Sequence, residues 1–528
     1  MIPRPHLGRA AGIVLPLFSL RSAGDWGIGD IGDLAPFGSW LRRAGFRALQ
    51  LLPISTLPAS ESSPYSALSA MAIDPVYVSV PDVHDFRVLG GESQLPLADQ
   101  AALRTARAST RVPYASVRQA KDAALRLSFS LFYDTDWLRG TARAGSFAAF
   151  ASWEDWWLGD YALYCALRAH HGGLSWPDWP PAVRSRQPAA LEDAREALQR
   201  EILYHQYTQW LAEEQWADAR EALGEIRLFG DVPFMVGTDS ADVWANQHLF
   251  RFDRTTGTPP DAFSATGQDW GLPVYNWEAM ARDDHRWLRQ RARRMSRLYD
   301  GYRLDHLVGF FRTYSRPLGE ALGSFEPAGE ADQIRQGDEI LQLFQATGSD
   351  VTAEDLGLIP DFVRDSLKRL GLPGYKVIRW ERDWSQPGHP FVPPSQYPAV
   401  SVATTSTHDI EPMALWWDVA SADDKRALAA ILGGGLDALD GDPARWPFTV
   451  DVQQHLLRAA YEAGSNLLLL PMQDACGWRD RINVPATVGA DNWSWRLPIA
   501  VEAMEADEPL ASCADTLRAL SKASARLA

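Results

Sequence analysis

Short apolar runs recur along the chain, with amphipathic stretches between them. They lie at 13–18, 48–54, 226–236, 302–308, a weaker one at 348–353, then 375–380, 401–406 and 466–471. Each has the length of a strand, and each is followed by polar, loop-like sequence and then a helical repeat, as at 34–44 before the second run. Continuous apolar strands separated by helices read as parallel strands covered on both faces. Eight such units fit a (β/α)8 TIM barrel. The competing architecture is an open doubly wound sheet, which would carry a glycine-rich phosphate loop. Gly24, Gly27, Gly29 and Gly32 resemble one superficially, but Asp25, Asp30 and Asp33 stand where a phosphate needs positive potential. That segment is read instead as a turn-rich loop facing substrate.

The strands are unevenly spaced. The long gap between residues 54 and 226 is dominated by helical periodicity from 121 to 223, notably at 147–167 and 191–221. The pattern divides the chain into a first part of the barrel (1–75), inserted and mainly helical subdomains (76–224), and the rest of the barrel with its loops (225–528). Residues 90–97 form a boundary candidate. The Gly-, Glu- and Pro-rich segment 316–338 reads as a mobile loop near the mouth.

Charge removes several function classes. Among 528 residues, 51 basic and 67 acidic side chains give a formal charge of -16, which disfavours a phosphate backbone or an anionic membrane surface as partner. Cys165, Cys476 and Cys513 are too few and too far apart for a disulfide framework or a zinc-ligand spacing. The opening residues lack the apolar core of a signal peptide, and the run at 12–20 is short and holds Pro16, so a cytoplasmic location is expected. The 22 tryptophans matter for a different reason: an indole face stacks on the apolar face of a sugar. Most of them are expected in the core.

Barrel enzymes carry their chemistry on loops after the C-terminal ends of strands. Three carboxylates meet that condition: Asp305 after the fourth run, Glu354 after the fifth and Asp409 after the seventh. A carboxylate directly after an apolar strand needs a polar pocket or a partner. Taken singly, each is equally well read as a helix N-cap. Together they suit glycoside chemistry, in which one carboxylate attacks the anomeric carbon and another protonates the leaving oxygen. Arg303 lies two residues before Asp305, on the same strand face, where it can hold the nucleophile ionised. His306 and His408 flank the carboxylates.

Arg303-Leu-Asp-His306, Ala353-Glu-Asp-Leu-Gly357 and Thr407-His-Asp409 together resemble the 4-α-glucanotransferases (amylomaltases, or disproportionating enzymes) of the α-amylase superfamily. The likeness runs over nearly the whole chain. It takes in 20–32, 51–69 with Ser63-Pro-Tyr65-Ser, Gly230-Asp-Val-Pro-Phe234, Asp239-Ser-Ala-Asp-Val-Trp244, Pro259-Pro-Asp-Ala-Phe-Ser264, Gly267-Gln-Asp-Trp-Gly-Leu-Pro273, Asn483-Val-Pro485 and Asn492-Trp-Ser-Trp-Arg-Leu497.

The resemblance implies Asp305 as nucleophile, Glu354 as general acid/base and Asp409 as the third carboxylate, gripping sugar hydroxyls. It implies Arg303, His306 and His408 around the donor sugar, Tyr65 near the cleaved bond and Trp270 as an acceptor-side platform. Gln268, Asp383 and Asn483 match polar sugar-binding positions. Where the family pattern continues Asn-Asp-Thr after Thr-His-Asp, this chain has Ile410-Glu411-Pro412.

The expected activity is retaining transfer of an α-1,4-glucan segment from a donor maltooligosaccharide to the 4-hydroxyl of an acceptor glucan or glucose. The alternative is a retaining α-glucan hydrolase using the same carboxylates. Neither needs a cofactor or a catalytic metal. A structural calcium stays open, because oxygen ligands leave no spacing signature.

Overall fold

The computed structural model describes residues 6–260, 267–432, 441–485, 487 and 489–527. Twelve strands, numbered along the chain, form among these residues: β1 (Ala10–Val14), β2 (Ala48–Gln50), β3 (Arg227–Val232), β4 (Phe250–Thr258), β5 (Gln268–Tyr275), β6 (Gly301–Leu304), β7 (Thr313–Pro317), β8 (Ser324–Glu326), β9 (Asp350–Ala353), β10 (Gly374–Val377), β11 (Ser401–Thr404) and β12 (Leu467–Pro471). Eight of them close into a barrel in the order β1-β12-β11-β10-β9-β6-β3-β2, every pair parallel. This is a (β/α)8 barrel, and each apolar run contributes one of its strands.

The first run is displaced. The strand is Ala10–Val14 rather than 13–18, and Leu17–Ser19 forms a 3-10 turn. Pro16 has no N–H to give a ladder. The true strand starts with small residues because the barrel is tight there. A Cβ on Gly12 would lie 2.7 Å from Ala48 Cβ and 2.9 Å from Leu469 Cδ2. Other strands end earlier than their apolar runs. Phe234, Met235 and Val236 are buried beyond β3, where Phe234 packs edge-on against Tyr275 of β5 and Phe310.

Between β2 and β3 lie the helices Leu97–Ala108, Tyr114–Phe132, Ala142–His170, Pro188–Ala197 and Gln199–Leu223. Their apolar faces join the same core as the barrel's outer layer: Phe129, Tyr207 and Trp216 belong to one cluster with Leu228 and Trp40. At the far end of the barrel, the buried guanidinium of Arg526 donates to the carbonyls of Ala10 (3.1 Å) and Asn466 (2.9 Å), joining the entries to β1 and β12.

Two loop expectations are corrected. The glycine- and aspartate-rich segment after β1 does not face a ligand. Trp26 and Ile28 are buried, Asp25 pairs with Arg496, and Asp30 meets the buried Lys121 at 2.8 Å. The glycines there serve close packing, since a Cβ on Gly27 would strike Ala106 at 2.5 Å. Segment 316–338 is not one loop. It holds the end of β7, all of β8 and the first turns of the helix Glu330–Gln345, and it extends the antiparallel sheet β5-β4-β7-β8. Glu326 ties this edge down by meeting Arg251 at 3.0 Å and Arg254 at 3.3 Å. No helix among the described residues is long and apolar enough to cross a membrane.

Candidate active site

A cavity of about 1070 Å³ opens at the C-terminal ends of the barrel strands, lined by Tyr65, Trp270, Arg303, Asp305, Glu354 and Asp409 among others. The sheet register explains how the charged groups meet. Asp231 on β3 is paired with Arg303 on β6, so both side chains point to the same barrel face. One step further on, Asp305 N donates to Val232 O (3.0 Å) and Glu354 N to Leu304 O (2.9 Å), which carries the ladder into the two loops.

Arg303 is the hub. Its Nη1 lies 2.8 Å from both oxygens of Asp231, and its Nη2 lies 2.7 Å from Asp305 Oδ1. Burial works against its charge, but Asp231 and Asp305 outweigh burial and push the guanidinium further up. Asp231 also accepts the Tyr65 hydroxyl at 2.9 Å, and that hydroxyl lies 2.9 Å from His408 Nε2. Tyr65 is thus bound into the site rather than into the core, and its ring stacks on His408 at 5.6 Å.

Glu354 accepts the backbone N–H of His306 and of Leu356, each at 2.9 Å. Burial raises its pKa, Arg303 lowers it, and the negative charge of Asp305 raises it again; the net effect lifts the carboxyl to about 7. A carboxyl poised there can hold a proton near neutrality and release it. Asp409 differs. Burial disfavours its charge, but His408, the Asn483 amide (2.8 Å to Oδ1) and Arg303 outweigh burial and hold it well below the usual carboxylate range. His408 is raised: burial lowers it, and Asp409 more than offsets that. His306, pushed down by burial, follows Asp305 with a left-handed backbone (φ 45°), which a non-glycine residue adopts only when its surroundings impose it.

The expected site residues therefore occupy different positions. Tyr65, Trp270, Arg303, Asp305, His306, Glu354 and Asp409 line the cavity. Asn483 grips Asp409 through its amide, and His408 sits 3.3 Å from the other Asp409 oxygen. Trp270 meets His306 edge-on at 4.9 Å, and its indole N–H donates to Gln268 Oε1 at 3.3 Å, so Gln268 braces the platform from outside the cavity wall. Asp383 is not brought in. Its carboxylate accepts from the Ser385 N–H (3.0 Å) and the Gln386 amide (2.6 Å), closing its own turn. That turn presents Trp384, 69% exposed, to the cavity rim. Residues 261–264 of the Pro259–Ser264 motif lie outside the described residues.

Asp231, Trp380, Trp384 and Trp493 were not singled out from the sequence. Asp231 carries the same signal as the other carboxylates, a charge inside the apolar run 226–236. Trp380 and Trp384 carry none that separates them from core indoles, and Trp493 lies in the matched Asn492–Leu497 motif with no role read for it. Asp355, the neighbour of Glu354, is committed elsewhere and accepts the Tyr375 N–H at 2.7 Å. The departure at 410–412 also has a structural role. Glu411 faces Arg379 (3.4 Å) and Arg481 (3.6 Å), and Arg481 donates to the Asp409 carbonyl at 3.2 Å. No group of three or more metal-ligating side chains occurs among the described residues.

A family model described as 4-alpha-glucanotransferase matches residues 15–501. A 4-alpha-glucanotransferase of Thermus thermophilus is 34% identical over 510 residues, covering 93% of this chain and 95% of that protein. One from Chlamydia pneumoniae is 31% identical over 504 residues, covering 93% and 92%. Among solved structures, an amylomaltase from Streptococcus agalactiae in complex with acarbose is similar with a TM-score of 0.81 at 26% identity, covering 98% of this chain and 100% of that one.

Proposed function

Since the chain belongs to the 4-alpha-glucanotransferase family and is an enzyme of that type acting on α-1,4-glucans, we propose that it works by double displacement at Asp305 and Glu354. An Asp305 carboxylate oxygen attacks the anomeric carbon. The bond to the departing glucan oxygen breaks as Glu354 gives that oxygen its proton. Glu354, now a carboxylate, takes the proton from the 4-hydroxyl of an incoming glucan, whose oxygen displaces Asp305. Two inversions retain the α configuration. Arg303 is paired with Asp305 and orients its carboxylate, and Asp409 holds sugar hydroxyls with His408 and Asn483.

The observation that carries this reading is the contrast between the carboxyls. Glu354 is raised to about 7 by burial, while Asp305 is held against the Arg303 guanidinium at 2.7 Å. A carboxyl raised by burial beside one fixed by a guanidinium marks the raised one as the acid. The test uses Glu354→Ala. Turnover of ordinary glucans falls about 10²- to 10⁴-fold, whereas α-glucosyl fluoride, whose leaving group needs no proton, still forms the Asp305 ester. Azide then discharges that ester as an α-glucosyl azide. Equal losses on glucan and fluoride with no azide rescue remove Glu354 from the acid/base role. A β-azide without a trapped ester removes Asp305 as nucleophile. Transfer is separated from hydrolysis by incubating the enzyme with maltotriose: a ladder of longer glucans marks transfer, and maltose with glucose alone marks hydrolysis.

A further inference from the structure

A second cavity, of about 670 Å³, lies apart from the catalytic one, where the helix Ala142–His170 meets the chain on either side of the β4–β5 ribbon. One wall is the indole of Trp156, 37% exposed. Trp153, one turn earlier on the same helix face, is 74% exposed. Both indoles keep apolar surface in water, which is costly, although Trp156 also meets Trp157 edge-on at 6.4 Å. The other walls carry Asn246, His248, Asn276, Arg286 and Gln290. The charged Arg282 and Asp283 and the apolar Leu249, Ala279 and Trp287 line them too. Arg286 and Gln290 stand one helical turn apart, and with His248 their side chains make no hydrogen bond or ion pair to the other described residues. Asn246 and Asn276 are anchored instead. The first donates to Asp242 O at 2.9 Å, and the second accepts from Ala279 N at 3.2 Å. Fixed amides beside an indole, with uncommitted donors opposite, suit a ligand that has one apolar face and a rim of hydroxyls.

We propose that this cavity is a second binding site for an α-glucan chain, remote from the catalytic centre. The inference rests on the reading of this enzyme as one that handles α-1,4-glucans. Its position adds a consequence. The cavity borders the Tyr275 end of β5, and Trp270, five residues earlier on that strand, lines the catalytic cavity. At about 3.3 Å per residue the two ends lie roughly 17 Å apart. A long glucan held at Trp156 is therefore kept at high effective concentration near the catalytic mouth, whereas a trisaccharide gains nothing from it.

The experiment compares the intact enzyme with Trp156→Ala and, separately, Gln290→Ala, because Trp156 also packs on Trp157 and its loss could disturb the helix. Three readouts are taken: maltotriose disproportionation, the half-saturating concentration of long amylose, and retardation in amylose-containing native gels. Trp156→Ala leaves maltotriose kinetics unchanged, raises the half-saturating amylose concentration roughly 2- to 12-fold, as expected for loss of one aromatic face contact, and weakens retardation. Gln290→Ala moves the same two readouts in the same direction by less. Unchanged amylose kinetics and retardation in both variants overturn the proposal. So does Trp156- or Gln290-dependent binding of inorganic phosphate without binding of maltoheptaose, since Arg286 would then mark an anion site. Should the unmodified enzyme fail on maltotriose while amylose retardation still depends on Trp156, the second site stands and the transferase reading falls.

Discussion

Asp231 and Arg303 face each other in register across β3 and β6, with one guanidinium nitrogen 2.8 Å from both carboxylate oxygens. Both are buried, so neither charge is supported by water. Removing one partner of an isolated buried pair costs about 3–5 kcal/mol, and here Arg303 keeps Asp305 at 2.7 Å as a second partner. Asp231→Ala is therefore expected to lower unfolding stability by about 1–3 kcal/mol in urea titrations, the cost of the donors of Arg303 and Tyr65 that lose their acceptor. Asp231→Asn keeps acceptors for Arg303 and Tyr65 and should cost less. A stability loss under ~1 kcal/mol for Asp231→Ala would mean the pair is better hydrated than its burial indicates.

Asp305→Asn should abolish turnover on maltotriose while leaving the folded state intact. The amide cannot act as the nucleophile, yet Arg303 keeps its contacts to Asp231. Circular dichroism should overlay on the unmodified enzyme. Substantial residual transfer by the purified variant is the result that defeats the assignment.

The pH dependence follows from Glu354. Its pKa is raised to about 7, by burial first, so the protonated form needed by the leaving oxygen is full below that pH and lost above it. The rate on ordinary glucans should fall on the alkaline side with a midpoint near 7. Ester formation from α-glucosyl fluoride should lack that limb. An alkaline limb identical for both donors assigns it to a group other than the acid.

Trp384 stands at the cavity rim on a turn closed by Asp383. Trp384→Ala is expected to raise the half-saturating concentration of maltoheptaose several-fold, within the ~0.5–1.5 kcal/mol of one aromatic contact, and to leave the melting temperature unchanged. Asp383→Ala, which frees the turn, should show the same selectivity more weakly. If Asp383→Ala proves far more damaging than Trp384→Ala, the Asp383 carboxylate touches sugar directly in the bound state.

Asp33 provides a stability test away from the chemistry. Burial first, and then the charge of Asp30, raise its pKa to about 8. The native state keeps a proton that the unfolded chain, with a carboxyl near 3.9, gives up. Stability is therefore lost as pH rises from about 4 towards 8. Asp33→Asn mimics the protonated group and should stabilise the protein by roughly 3–4 kcal/mol more at pH 8 than at pH 5. A gain of equal size at both pH values would mean that Asp33 carries no proton in the native state.

The barrel was legible because its strands are buried on both sides and so read as uninterrupted apolar runs. What misled was local. The start of β1 is made of small residues, whose small size serves a close approach that no hydropathy pattern encodes. In the segment after β1, Asp25 and Asp30 looked like polar loop residues, but Arg496 and Lys121 neutralise them from distant positions in the chain. The carboxylates were legible as charges in the wrong company. Asp231 obeyed that rule and was overlooked, because its partners at 65, 303 and 408 are visible only once the barrel has closed. Asp383 shows the opposite limit: a short polar side chain in a loop satisfies its own turn as readily as a ligand, and sequence does not separate the two.

Both hydrogen bonds that reach Glu354 come from peptide groups, the N–H of His306 and the N–H of Leu356. No side-chain hydroxyl or amide stands between the acid and its tuning. A substitution can change a neighbour's polarity, but it cannot delete a main-chain N–H short of introducing proline. The readiness of this carboxyl to part with its proton is set first by its burial and by the charges of Arg303 and Asp305, and the two peptide donors, from the loop bent left-handed at His306 and the loop leaving β9, add a smaller pull towards the ionised form. Moving the working pH of this enzyme by mutation would mean opening the pocket to water or changing the charges beside the acid, while the contribution of the two peptide donors persists whatever side chains surround them.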